Sequence, residues 1–309
     1  MTTYLILLAG LAALFLGGDW LVKGASTLAL RFGITPMVVG LTIVGFGTSA
    51  PELMVSLNAA LGGRAEIAIG NVIGSNIANI LLILGLAALI TPITVQFAQI
   101  KGDLLWMTLA TLALPLLFWS GMIGATKGVI MLLALAAYLL VSLRKPNEAS
   151  DSTRTPAPLW QGLLLTALGL GAVLIGAHYL VESASMIARK WGVSEAIIGL
   201  SIVAVGTSLP ELATTLMAAV RGARDIALGN VIGSNIFNIL CILGVTAVVQ
   251  PIAVDPRFLI IDTPTLIGAT LALTLILWWK SALNRRTGTV MLALYALYIW
   301  ATMTSGATT

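Results

Sequence analysis

Runs of about twenty apolar residues follow one another through almost the whole chain, separated by short breaks that carry most of the charge. Wound as a helix rising about 1.5 Å per residue, each run matches the roughly 30 Å hydrocarbon layer of a bilayer. In that layer a backbone must satisfy its own polar groups, so the pattern predicts an all-α integral membrane protein. Of 309 residues, 59% are hydrophobic and only 9% charged. The runs predict spans near residues 4–29, 35–62, 66–90, 98–120 and 123–143, and five more near 160–188, 194–220, 225–249, 258–280 and 287–305. The run from Tyr4 to Leu16 lacks the basic start and small-residue cleavage pattern of a secretory signal, and is read as part of the first span. One cysteine, Cys241, makes no internal disulfide possible, and with a single histidine it leaves no soft donor set for zinc or copper. The net charge of +4 reports membrane orientation rather than an anionic partner, so nucleic acid binding is not expected.

The second half of the chain repeats the first. At an offset of 159, GITPMVVGLTIVGFGTSAPEL (Gly33 to Leu53) falls on GVSEAIIGLSIVAVGTSLPEL (Gly192 to Leu212), and 35 of the 63 pairs from Gly33 to Val95 are identical. Five spans per copy is an odd number, which turns the second copy over in the membrane. The expected architecture is therefore ten transmembrane helices as two inverted five-helix repeats, residues 1–143 and 160–309, joined by a polar, proline-bearing linker at 144–159. Eleven of the sixteen basic residues, among them Lys101, Arg154 and Lys280, fall in loops on one side, and Arg64, Lys127, Arg189, Lys190 and Arg257 on the other. The positive-inside rule then puts the linker in the cytoplasm and both termini outside it, in a cell-membrane protein. Trp106, Trp160, Trp191, Trp278 and Trp300 are expected near helix ends, as an interfacial belt.

Each copy carries Gly-Thr-Ser-x-Pro-Glu inside a span: Gly47, Thr48, Ser49, Pro51 and Glu52, then Gly206, Thr207, Ser208, Pro210 and Glu211. An acid at the centre of a membrane helix costs about 3 kcal/mol or more, so two of them imply a bundle interior and something bound. Proline removes a backbone donor and glycine loosens the preceding turn, which frees carbonyls beside the hydroxyls. Such backbone survives at that depth only where it lines a cavity or an ion. The next span adds GNVIGSNIxN, in which Ser75 and Asn79, and likewise Ser234 and Asn238, share a helix face. Its glycines at four-residue spacing predict close helix approach, the plain reading of which is packing alone. The oxygens suit a hard cation such as calcium, whose charge two carboxylates cancel, although manganese is chemically similar.

On these motifs the chain resembles the calcium/cation antiporter superfamily, in particular prokaryotic sodium/calcium exchangers with two α-repeats. The resemblance implies calcium ligands at Glu52 and Glu211, with oxygens from Thr48 and Thr207. It also implies flanking monovalent-ion sites at Ser49, Ser75, Ser208 and Ser234, carbonyl ligands at Gly45 and Ala204, and Asn79 and Asn238 at the centre. An archaeal member of the family has aspartate where Asn238 stands, so here the site has two acids rather than three. The implied activity is calcium/sodium antiport by alternating access, in which the first and sixth spans move past the core. The alternative is a calcium/proton, or other divalent cation/proton, exchanger in which Glu52 and Glu211 release the ion on protonation. The partners are calcium, sodium and membrane lipid, with no cofactor and no obligate protein partner.

A cation channel would need a continuous pore instead of an occluding site. An intramembrane hydrolase would need a base near a nucleophile, and His178 lies in a different span from both Gly-Thr-Ser segments, so enzymatic activity is not expected. Asp19 with Lys23, and His178 with Glu182, are read first as i,i+4 structural pairs, with a role in gating or, for His178, in a proton relay as the alternatives. Asp103 and Asp262 are read as acids at positive helix ends.

Overall fold

The computed structural model describes residues 2–143, 157–192 and 204–306. Most of the expected linker, 144–156, and the start of the expected seventh span lie outside these residues. The first half contains α1 (Thr2–Phe32), α2 (Pro36–Thr48), α3 (Ala50–Leu61), α4 (Ala65–Ile90), α5 (Phe97–Phe118) and α6 (Ala125–Leu143). The second contains α7 (Leu159–Lys190), α8 (Ala204–Thr207), α9 (Leu209–Val220), α10 (Arg224–Val249), α11 (Asp262–Lys280) and α12 (Arg285–Gly306). Among the described residues seven helical segments are long and apolar enough to cross a membrane, or eight if α2 and α3, which meet at 44°, count as one span. The protein is thus a mostly helical, multi-pass membrane protein.

The chain divides into two compact units, each drawing on both halves of the sequence: Met1–Pro51 with Leu143–Asn230, and Glu52–Ser142 with Val231–Thr309. In the first unit α1 and α7 run antiparallel at very short range, because glycines recur every seven residues on both. Gly10 faces Gly176, Gly17 faces Gly169 and Gly24 faces Gly162, and a methyl group at Gly10, Gly17 or Gly24 would come within 2.9 Å of the opposing glycine's carbonyl oxygen. Leu21, Val22, Ala25 and Ala29 on another stretch of α1 pack with Val39, Val44, Ala218, Ile226 and Ala227. The Asp19–Lys23 pair forms as expected, with Nζ 2.8 Å from Oδ2, and gains a partner from the end of α9, Arg221 Nε at 2.6 Å from Oδ1. His178 and Glu182 lie 3.8 Å apart and largely exposed.

In the second unit two short ribbons frame the helices. Strand β1 (Ile93–Thr94) pairs with β4 (Ala282–Leu283), and β2 (Met122–Ile123) with β3 (Ile252–Ala253). Because β1 precedes α5 and β2 follows it, the ribbons sit at opposite ends of that 22-residue helix, about 33 Å long. Strand β3, the repeat counterpart of β1, pairs with β2 and therefore lies at the opposite end from β1. By the same connections α5 and its counterpart α11 run in opposite directions; Thr108 and Thr274 are hydrogen-bonded between them at 3.2 Å. The glycine contacts are reciprocal too. Gly85 of α4 meets Gly288 of α12, while Gly244 of α10 meets Gly128 of α6, with a methyl group at Gly288 or Gly128 only 2.6 Å from the opposing carbonyl oxygen.

Leu105, Leu109, Leu112 and Leu116 form an exposed stripe down α5, which in a bilayer is covered by lipid tails. Trp160, Trp191, Trp278 and Trp300 are exposed at or near helix ends, as the belt requires. Trp106 departs from that expectation. It lies within α5, its ring 5.7 Å from that of Tyr138 on α6. Asp262 does open α11, but Asp103 lies beyond the first turn of α5, where a helix dipole does little; it is buried and accepts a hydrogen bond from Ser142 Oγ at 3.3 Å.

Candidate functional site

The two acidic motifs take the same backbone form. Helix α2 widens into a π-helical stretch at Gly40–Val44, closes as Gly45–Thr48, and breaks at Ser49 (φ −83°, ψ 6°) before α3 begins. The second copy breaks at Ser208 (φ −87°, ψ 4°) between α8 and α9. Both serines occupy the sparsely populated bridge region, and in each case proline follows as the second residue of the new helix, where its missing N–H costs least. Glu52 and Glu211 consequently fall in the first turn of their helices, at the positive end of the peptide dipoles. Each is only 1% exposed.

In the first unit the hydroxyl of Ser49 donates to Glu211 Oε1 at 2.8 Å, joining the break of one repeat to the acid of the other. Thr48, fully buried, donates back to the Val44 carbonyl at 3.0 Å and lies 3.3 Å from Asn230 Oδ1. The Gly45 carbonyl accepts from Ser49 N at 3.1 Å. Ser208 is buried at the N-terminal end of α9, Thr207 is half-buried, and Ala204 opens α8.

Two asparagines that the sequence reading left without a role clamp these helices. Asn71 Nδ2 donates to the Glu52 carbonyl at 3.0 Å and to Ser56 Oγ at 2.9 Å. Asn230 Nδ2 donates to the Glu211 carbonyl at 3.3 Å and to Thr215 Oγ1 at 2.9 Å. Each clamp lies within one unit and ties an acidic helix to the span that follows it. The visible signal was an asparagine recurring at the offset of 159, with a hydroxyl residue at both Ser56 and Thr215.

Asn79 and Asn238 lie in π-helical stretches, Ala78–Ile83 and Asn238–Ile242, a local form common at functional sites. They belong to an interlocked amide quartet in the second unit. Asn79 Nδ2 donates to Asn235 Oδ1 at 3.0 Å, and Asn238 Nδ2 to Asn76 Oδ1 at 2.9 Å. Asn76 and Asn235 in turn donate to each other's backbone carbonyls at 3.3 and 3.4 Å. With both NH2 groups engaged, Oδ1 of Asn79 and Oδ1 of Asn238 are left buried without a hydrogen-bond partner among the described residues. Buried acceptors are rarely left so, and an amide oxygen is a ligand calcium takes readily. Ser75 and Ser234 are buried one helical turn before them.

The glycine spacing is only partly matched. A methyl group at Gly229 would approach the Met37 carbonyl oxygen to 2.7 Å, whereas Gly74 has no neighbour within 4 Å among the described residues. Close approach depends also on Gly40, facing the Ile226 carbonyl oxygen at 2.9 Å.

Buried acids, hydroxyls and amide oxygens on broken membrane helices are the chemistry of a cation-transport site. The sequence model of the family described as sodium/calcium exchanger protein matches residues 2–144 and 161–304. The chain is 36% identical over 310 residues to inner membrane protein YrbG of Escherichia coli, covering 96% of this chain and 95% of that one. It is 34% identical over 340 residues to sodium/calcium exchanger MaX1 of Methanosarcina acetivorans, covering 96% and 97%. Among solved structures, that of the sodium-calcium exchanger NCX_Mj superposes with a TM-score of 0.87 at 34% identity, over 96% of this chain and 97% of that one. The chain belongs to the sodium/calcium exchanger family, within the calcium/cation antiporters.

Proposed function

We propose that this protein exchanges calcium for sodium across the cell membrane by alternating access. Glu52 and Glu211 are its calcium ligands, Asn79 and Asn238 supply neutral oxygens, and Thr48 and Thr207 line the same site. Ser49, Ser75, Ser208 and Ser234, with the carbonyls of Gly45 and Ala204, serve the counter-ion positions. The observation that carries this reading is the pair of buried carboxylates set on matching helix breaks, with buried amide oxygens of Asn79 and Asn238 that have no hydrogen-bond donor among the described residues. Sodium as the counter-ion is supported by what MaX1 and NCX_Mj are named for.

The chain crosses the membrane ten times as two inverted repeats, residues 1–143 and 160–309, with the linker at 144–159 cytoplasmic and both termini outside. The opposite directions of α5 and α11, and the placement of β1 and β3 at opposite ends of α5, support the inversion. Helices α1 and α7, in glycine contact along their lengths, move as one body when the site changes the side it faces.

The test is calcium uptake into vesicles carrying the purified protein, driven by an outward sodium gradient. Uptake that requires the sodium gradient is expected. Uptake that ignores sodium and follows a proton gradient would replace sodium by protons as the counter-ion.

A further inference from the structure

We propose that Asp19 and Arg221 form a latch between α1 and α9, closed in the facing the structure shows and without an equivalent in the opposite one. Arg221 is then a positioning residue that acts outside the cargo site. The inference rests on the reading that α1 and α7 move as one body.

Asp19 is a buried acid inside a membrane helix, and it takes a different cation on each carboxylate oxygen. Lys23 Nζ lies 2.8 Å from Oδ2, and Arg221 Nε 2.6 Å from Oδ1. The two partners differ in what carries them. Lys23 sits one turn along the same helix and follows Asp19 wherever α1 goes. Arg221 closes α9, about 15 Å along the helix from Glu211, and belongs to that helix instead. The seat between the two helices is close, since a methyl group at Gly18 would come within 3.1 Å of the Ala213 carbonyl oxygen and of Met217 Cγ. Sliding α1 along α9 therefore breaks the contact with Arg221 and leaves the contact with Lys23. Removing the last partner of a buried charge is costly, and Lys23 spares Asp19 that fate, so the latch can open as well as close.

The duplicated sequence shows that this device is one-sided. In the opposite facing the two repeats exchange roles, and each position hands its part to its counterpart 159 residues away. Asp19 falls on His178, Lys23 on Glu182, Gly18 on Ala177 and Arg221 on Gly62. Glycine brings no cation, so the pair does not re-form at those positions, and His178 has its acid within its own helix, Glu182 at 3.8 Å. The two facings are thus unequal by one ion pair with a buried acid at its centre.

The experiment measures calcium uptake against calcium concentration in right-side-out and in inside-out membrane vesicles, under an outward sodium gradient and, in parallel, a proton gradient. The half-saturating concentration on each face varies inversely with the fraction of protein facing that way, so the ratio of the two reports the facing equilibrium. Arg221→Gln should change this ratio about 5-fold, the top of the range for a pair whose cation is partly exposed. Arg221→Lys, which keeps the charge, should stay near the parent. Asp19→Asn should shift the ratio in the same direction as Arg221→Gln and decides the matter should that variant not fold. A purely structural contact would lower the maximal rate and leave the ratio alone. An unchanged ratio in a folded neutral variant, opposite shifts in the two, or loss of folding in both would overturn the latch while the exchanger reading stands. If the unaltered protein takes up no calcium in either vesicle under either gradient, the exchanger reading fails and the latch with it.

Discussion

Ser49 and Glu211 come from different repeats, yet a 2.8 Å hydrogen bond joins them. A hydrogen bond to a charged group is worth about 1.5–3 kcal/mol, so Ser49→Ala should weaken calcium binding by roughly 10- to 100-fold, read by calorimetric titration. The asparagine clamps act on stability first. Asn230→Ala removes donors to the Glu211 carbonyl and Thr215 and should cost about 1–3 kcal/mol, seen as a lowered Tm of the purified protein. The two glutamates, with the hydroxyls beside them at Thr48, Ser49, Thr207 and Ser208, stood out in the sequence as candidates because an acid in a membrane helix demands a reason. Asn71, Asn76, Asn230 and Asn235 were not, because asparagine in such a helix serves packing and binding equally well. Only the direction in which each amide points separates these roles, and that depends on residues distant in the chain.

At the scale of elements, the contact between α1 and α7 was missed for a related reason. Glycines seven residues apart on two helices 159 positions apart match only when the helices run antiparallel, and nothing local reveals that register. Gly169→Ala would press a methyl group against the Leu21 backbone nitrogen and should destabilise the protein by about 1–3 kcal/mol. Gly171→Ala, two residues further along α7, meets no described neighbour within 4 Å and should instead gain up to about 1 kcal/mol from helix propensity. A thermal melt comparing the two variants checks both expectations. Among the described residues helix positions, by contrast, were readable to within a few residues, because a bilayer fixes how long an apolar run must be. The π-helical stretches at Gly40–Val44, Ala78–Ile83 and Asn238–Ile242 carry no compositional mark and emerged only from the backbone.

For the whole molecule, duplication was the most legible property and the interleaving of the halves the least. Each compact unit takes segments from both repeats, because the contacts made by Gly85 with Gly288 and by Gly244 with Gly128 cross from one copy to the other. Topology is tested by single cysteines in a Cys241→Ser background. A thiol at position 154 should react with impermeant reagent only from the cytoplasmic face, and one at 257 only from the opposite face; labelling of both from one side would refute the inverted arrangement. The central claim is that Glu52 and Glu211 together hold the divalent cargo. It is tested most directly by calorimetric titration of the purified protein with calcium, repeated on Glu52→Gln and Glu211→Gln. Loss of a charge-assisted ligand should weaken binding by at least about 10-fold in each variant, whereas calcium affinity unaltered in both would contradict the account.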